Sequence, residues 1–203
     1  MSKLKPIILA LGLSLAVAAC GGGGGPVPQN TFYRLQVAAP AASGAAAILP
    51  GILEVDRFVV EGLTAGRAIV YSDSAKPQEL HEYHYHLWTE PPATMLRDEL
   101  VNFLRAGKAA AQVVTPEVRV SPDYMVRGRI LRLERVVGGT PGALVELEMS
   151  ARKIRGDELL LLKTYKAQVV PSGDAVGEVA TAFGKALTDV YGRFLGDLAA
   201  AKR

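Results

Sequence analysis

From Ala143 to Arg152 the chain alternates: Ala143, Val145, Leu147, Met149 and Ala151 are apolar, while Glu146, Glu148, Ser150 and Arg152 are polar or charged. Side chains on a strand point to opposite faces in turn, so this order suits an extended segment with one buried and one wet face. The stretch from Asp123 to Val169 reads as three such segments. They are joined by Gly138-Gly139-Thr140-Pro141-Gly142 and by Arg155-Gly156-Asp157-Glu158, which predicts an antiparallel meander. In the first segment the apolar set passes from Val126, Gly128 and Ile130 to Leu131 and Leu133, and that slip predicts a bulge near Ile130.

A sheet with one apolar face needs a cover. Val176, Val179, Ala180, Phe183, Leu187, Val190, Tyr191, Phe194 and Leu198 fall within about 120° of arc on a helix, so a long closing helix is expected on the sheet. Ser172 or Asp174 is placed to cap it. A second helix is expected over 92–106, opened by Pro92 and stopped by Gly107, with Leu96, Leu100, Phe103 and Leu104 on one side. Before it, 32–37, 48–60, 67–71 and 80–88 read as extended segments. In the last of these, Tyr83, Tyr85 and Leu87 should share one face, and His84, His86 and Trp88 the other. The pattern predicts an α/β fold: a single domain with a mixed β-sheet, a C-terminal antiparallel meander and two long amphipathic helices packed on it.

The amino terminus reads differently. Lys3 and Lys5 precede an apolar run from Ile7 to Val17 and then small residues, the three parts of a secretion signal over 1–19. The run is too short to span a hydrocarbon core, which needs about 20 residues. Val17-Ala18-Ala19-Cys20 resembles the lipobox of bacterial lipoproteins, which makes Cys20 the expected lipid attachment point, carrying acyl chains such as palmitate. Cys20 is the only cysteine, so an internal disulfide is excluded. Five glycines and Pro26-Val27-Pro28-Gln29-Asn30 follow, a composition with little to bury, so 20–31 reads as lipidated cysteine and tether and 32–203 as the folded domain. Taken as a flexible coil, 21–31 spans roughly 18 Å. Removal of Lys3 and Lys5 leaves 21 basic against 20 acidic residues, so the basic balance of the whole chain is no argument for nucleic acid.

Signatures of chemistry are sparse. There is no Gly-x-Ser-x-Gly elbow, and Gly184-Lys185 is followed by Ala186 with Val179 where a phosphate loop would begin with glycine. His84 and His86 could share a zinc ion, but His81 should point the other way and no cysteine completes a site, so no metal or cofactor is expected. Arg119, Arg127, Arg129, Arg132 and Arg135 gather around the first meander strand, where a patch could receive a lipid headgroup or an acidic partner, set against the alternative of a solvated face. Tyr83, Tyr85 and Trp88 place large aromatics on both faces of one strand, which makes them candidates for a protein-docking surface unless both faces are covered.

Several of these pieces together resemble the ABC-type transport auxiliary lipoproteins, the family that includes paraquat-inducible protein C. They are the lipobox at Cys20, Phe32-Tyr33-Arg34-Leu35, the segment Tyr83-His84-Tyr85-His86-Leu87-Trp88-Thr89-Glu90-Pro91-Pro92 leading into a helix, Asp123-Tyr124 opening a long strand, the Gly-rich hairpin and the closing helix. The resemblance implies a non-enzymatic lipoprotein subunit that works with an ABC permease, its ATPase and an MCE-type substrate-binding protein to move lipids across the periplasm of a Gram-negative bacterium. It also implies attachment to the periplasmic face of the outer membrane, and Gly21 is not the aspartate that marks inner-membrane retention in enteric bacteria. A stand-alone periplasmic lipoprotein that binds phospholipid is the alternative. Residues 53–66 have no clear counterpart in the family pattern.

Overall fold

The computed structural model describes residues 28–41 and 46–201; the expected signal segment, Cys20 and the tether up to residue 27 lie outside them. The elements run β1 Thr31–Tyr33, β2 Leu49–Val55, β3 Ala68–Asp73, β4 Lys76–Trp88, α1 Pro92–Ala106, β5 Ala110–Val114, β6 Tyr124–Val137, β7 Gly142–Lys153, β8 Glu158–Val169 and α2 Val176–Ala201. The strands form one mixed sheet. β7 pairs antiparallel with β6 on one side and with β8 on the other. Along its other edge β6 carries two neighbours in succession, β2 parallel to its start and β3 parallel to its end.

The sheet therefore forks at β6. One arm adds β5 parallel to β2, and the other adds β4 antiparallel to β3 and then β1 parallel to β4. The chain between the arms follows β6 closely. Asp56 N–H donates to the Val126 carbonyl, Val59 N–H to that of Gly128 and Ile130 N–H to that of Val59. A 3-10 turn at Gly62–Ala65 then leads into β3. The stretch without a counterpart in the family pattern is thus the continuation of β2 and the detour between the two arms. Gly128 is needed here because a Cβ would stand 2.5 Å from the Phe58 ring, which lies across the strand.

β6 slips register between Ile130 and Arg132, where the apolar phase changed, so residues on either side of Leu131 keep their faces only by exchanging parity. Both helices bury one side against the sheet. Leu96, Leu100 and Leu104 of α1, and Val179, Phe183, Leu187, Val190, Tyr191, Phe194 and Leu198 of α2, are all fully buried in one core with Val145, Leu147, Met149 and Ala151 of β7. The Tyr191 hydroxyl ties the helices by donating to the Leu96 carbonyl at 2.8 Å.

Three local expectations are corrected and one is borne out. β1 stops at Tyr33 because residues 34–38 leave the sheet and strap across the helices: Val37 N–H donates to Glu99 Oε2 at 2.9 Å and Ala38 N–H to Thr188 Oγ1 at 3.1 Å. The alternation that looked like a strand over 32–37 serves this strap, whose partners are side chains. Neither Ser172 nor Asp174 caps α2. Glu178 in its first turn accepts from Ala175 N–H and from the Ser172 hydroxyl, both at 3.3 Å. Gly107 ends α1 as expected, with φ −80, and the left-handed residue is Lys108, at φ 50. Glycine is needed at 107 because a Cβ there would stand 2.5 Å from Leu195 Cδ2 of α2. Finally, the short strand β5 pairs with β2 where no strand was expected.

Candidate partner-binding surface

β4 is long, but β1 pairs with only His86, Leu87 and Trp88. On that side residues 76–85 have no partner strand among the described residues, and nearly all of them are exposed. Open backbone donors and acceptors on such an edge are a template for another chain. Pro77, Glu79 and Glu82 lie along it, residues that discourage indiscriminate pairing.

Behind the edge the side chains form a row. The His81 and Tyr71 rings stack with centroids 5.2 Å apart, Tyr71 and Tyr83 lie at 4.7 Å, Tyr83 meets His86 edge-on at 5.5 Å, and His86 and Tyr33 lie at 5.7 Å. Tyr33 Oη and His86 Nδ1 are 2.8 Å apart. Burial raises the Tyr33 pKa, so the hydroxyl keeps its proton. Arg135 anchors the row: one guanidinium nitrogen donates to Tyr83 Oη at 2.9 Å and to the Asp174 carbonyl at 3.2 Å, and the other to Asp174 Oδ1 at 3.2 Å. No strand alternation would place Tyr83 and His86 together. They meet because Val70 pairs with Glu82 whereas Ala68 pairs with Leu87, so β4 carries three more residues than β3 across this interval and the faces are reset.

The candidate docking residues consequently part company. Trp88 is a core residue, 2% exposed and edge-on to Phe183 of α2, so it is withdrawn from any docking surface. Tyr83 is half-buried in the row, and Tyr85 is 45% exposed. The helices cover the side of the sheet that holds Trp88, the condition under which aromatics on both faces of a strand cease to imply an interface.

The arginine cluster also divides. Arg127, Arg129 and Arg132 lie on the face away from the helices, whereas the slip at Leu131 turns Arg135 toward them, opposite the fully buried Ala143. Each meets a carboxylate: Arg127 with Asp56 at 3.2 Å, Arg129 with Glu61 at 3.7 Å, Arg132 with Glu134, and Arg135 with Asp174. Glu134 is itself buried and accepts from the Ser72 hydroxyl at 3.0 Å. Arg119 stands apart, in left-handed conformation after a 3-10 turn. Local pairing thus compensates charges that looked like an anion patch. His84 and His86 are not gathered into a ligand set; among the described residues no group of three or more His, Cys, Asp or Glu is placed to hold a metal ion.

Asp123 and Gly51 escaped notice as a pair. Asp123 Oδ2 accepts from Ile52 N–H at 2.8 Å, its own N–H donates to the Ile52 carbonyl at 2.9 Å, and its carbonyl accepts from Ile154 N–H at 2.8 Å, which stitches β2 to β6 and to the end of β7. Gly51 has φ +85, and a Cβ on it would stand 2.1 Å from Asp123 Oδ2. A glycine followed directly by Ile52-Leu53, with Asp heading a distant strand, was the available signal.

A curled mixed sheet with both helices on one side, an open strand edge and ionisable groups tied to each other defines a scaffold that presents surfaces. The chain belongs to the ABC-type transport auxiliary lipoprotein component family, whose model matches residues 33–193. No functionally curated protein matches it. The fold is similar to that of protein XCC0632 from Xanthomonas campestris, of the family DUF330, with TM-score 0.72 and 22% identity over 84% of this chain and 96% of that one. A second crystal structure, of an uncharacterized protein, gives TM-score 0.67 and 15% identity over 83% and 98%. The hypothetical protein CT253 from Chlamydia trachomatis gives TM-score 0.51 and 9% identity over 74% and 99%. Among the described residues no helix is long and apolar enough to cross a membrane.

Proposed function

We propose that this chain is a non-enzymatic lipoprotein subunit, anchored through Cys20 in the periplasmic face of the outer membrane, that assists an ABC/MCE-type lipid transport system. The observation that carries this reading is the family match over 33–193, nearly the whole folded domain. The partner docks on the open edge of β4 between Lys76 and Tyr85, where an extended segment of an MCE-type substrate-binding protein adds a strand and the Tyr83 row stiffens the edge from behind. The alternative, a stand-alone phospholipid carrier, is less well supported. The space between sheet and helices is filled by Trp88, Phe183, Tyr191 and Phe194, all at 2% exposure or less, which occupy the volume an acyl chain would need.

The test is capture from detergent-solubilised envelope with the tagged full chain. The expected result is recovery of an MCE-type protein with its permease and ATPase, absent from a Cys20→Ala strain in which the chain no longer sediments with membranes. Recovery of stoichiometric phospholipid and no transport protein would favour the carrier instead.

A further inference from the structure

Thr31, where the tether enters the sheet, lies beside an exposed aromatic corner. Phe32 is 50% exposed although it sits within the β1–β4 ladder. Its register partner is the half-buried Leu87. The Arg67 guanidinium carbon stands 5.2 Å from the Phe32 ring centroid. That guanidinium is held in place, because Arg67 Nε donates to the Trp88 carbonyl at 3.0 Å. A fixed cation over a solvent-facing ring matches the polarity of a bilayer surface, where rings settle at headgroup depth and guanidinium groups meet phosphate.

We infer that this corner, formed by Phe32 and Arg67, is a foot that rests the domain on the membrane bearing its anchor. The inference rests on the reading of Cys20 as the anchor. Only residues 21–31 separate that cysteine from Phe32, and a chain of that length reaches at most about 40 Å, so β1 is the element held nearest the bilayer. β4 starts at the opposite end: from Trp88 back to Lys76 a strand reaches about 40 Å. Seating the foot would fix the direction of the domain, with the open edge and the β3–β4 turn carried away from the lipid toward the periplasm. Exposed leucines elsewhere, such as Leu159 and Leu162 on β8, lie several strands from the tether and take no part.

The test places a fluorophore at the foot. The mature lipidated chain, as Phe32→Trp or Leu162→Trp, is reconstituted into vesicles of phosphatidylethanolamine and phosphatidylglycerol containing brominated phosphatidylcholine. The buried Trp88 supplies the baseline and reports that each variant is folded. The expected result is that the tryptophan added at position 32 emits to the blue and loses most of its intensity to the bromolipid, while the one at 162 emits as in water and is spared. Equal quenching at the two positions, or none at either on chains that float with the vesicles, overturns the foot and leaves the anchor standing. A chain that does not float with vesicles overturns both. Shielding of position 32 only after envelope proteins are added assigns the corner to a protein and likewise overturns the membrane contact.

Discussion

The two arms beyond β6 and the three strands β6, β7 and β8 are built from similar residues but obey different rules. Along β7, Ala143, Val145, Leu147, Met149 and Ala151 all lie at zero exposure beneath α2, and each neighbouring pair slips register once. Along β4, three additional residues opposite β3 reset the faces, and Tyr83, His86, Tyr71 and Tyr33 form a row of ring contacts at the margin of the core. A regular register under a helix turns composition into burial. An irregular register at an open edge leaves side chains to satisfy themselves locally, and that is where a binding surface has room to exist.

Trp88 marks the boundary, because it ends the irregular strand yet lies under α2. Trp88→Ala should cost about 3 to 5 kcal/mol, or roughly 10 °C of melting temperature for a domain of this size. Thermal unfolding followed by circular dichroism reads this, and a loss of less than a few degrees would move Trp88 out of the core and erase the boundary. Gly184→Ala probes the strap. A Cβ at 184 would stand 2.1 Å from the Gln36 carbonyl oxygen, so either the strap or α2 must shift, at about 1 to 3 kcal/mol. Hydrogen exchange at Val37 and Ala38 should quicken while that of β7 amides changes little; unchanged protection at both would mean that the strap is not clamped.

The smallest effect concerns the fastening of β8 to α2. Asp197 accepts from Lys163 Nζ at 2.8 Å and from the Tyr165 hydroxyl at 2.7 Å, and these bonds hold its carboxyl below the usual range, while burial and Asp197 raise the Tyr165 hydroxyl pKa. A depressed carboxyl pKa contributes stability that is present above the unfolded value of about 3.9 and is lost as pH falls through the folded one. Wild type should therefore exceed Asp197→Asn in urea denaturation at neutral pH by a modest margin. That margin should close on acidification below about pH 4. A margin that persists or widens in acid would contradict the assignment.

How much was legible follows the same division. The three alternating segments, the slip at Ile130 and the bounds of α1 could be read because each depends on neighbours close in sequence. The strap at 34–38 could not, since an alternating segment looks the same whether its backbone meets a strand or the side chains of Glu99 and Thr188. The row behind β4 was hidden for another reason: nothing in Tyr83-His84-Tyr85-His86 reveals that the opposing strand is three residues shorter there. The arginines misled because their carboxylates, Asp56, Glu61, Glu134 and Asp174, are mostly remote in sequence. Cys20, the proposed lipid attachment point, was nominated by its motif and lies outside the described residues.

The central claim is that this scaffold docks a transport partner through the open edge of β4. The most direct measurement is photocrosslinking in living cells, with the reactive side chain placed at Gln78 on that edge or at Lys185 on the exposed side of α2, both solvent-facing positions. The account predicts a crosslink to an MCE-type periplasmic protein from position 78 and none from position 185. A crosslink to that protein from position 185 with none from position 78 would contradict it.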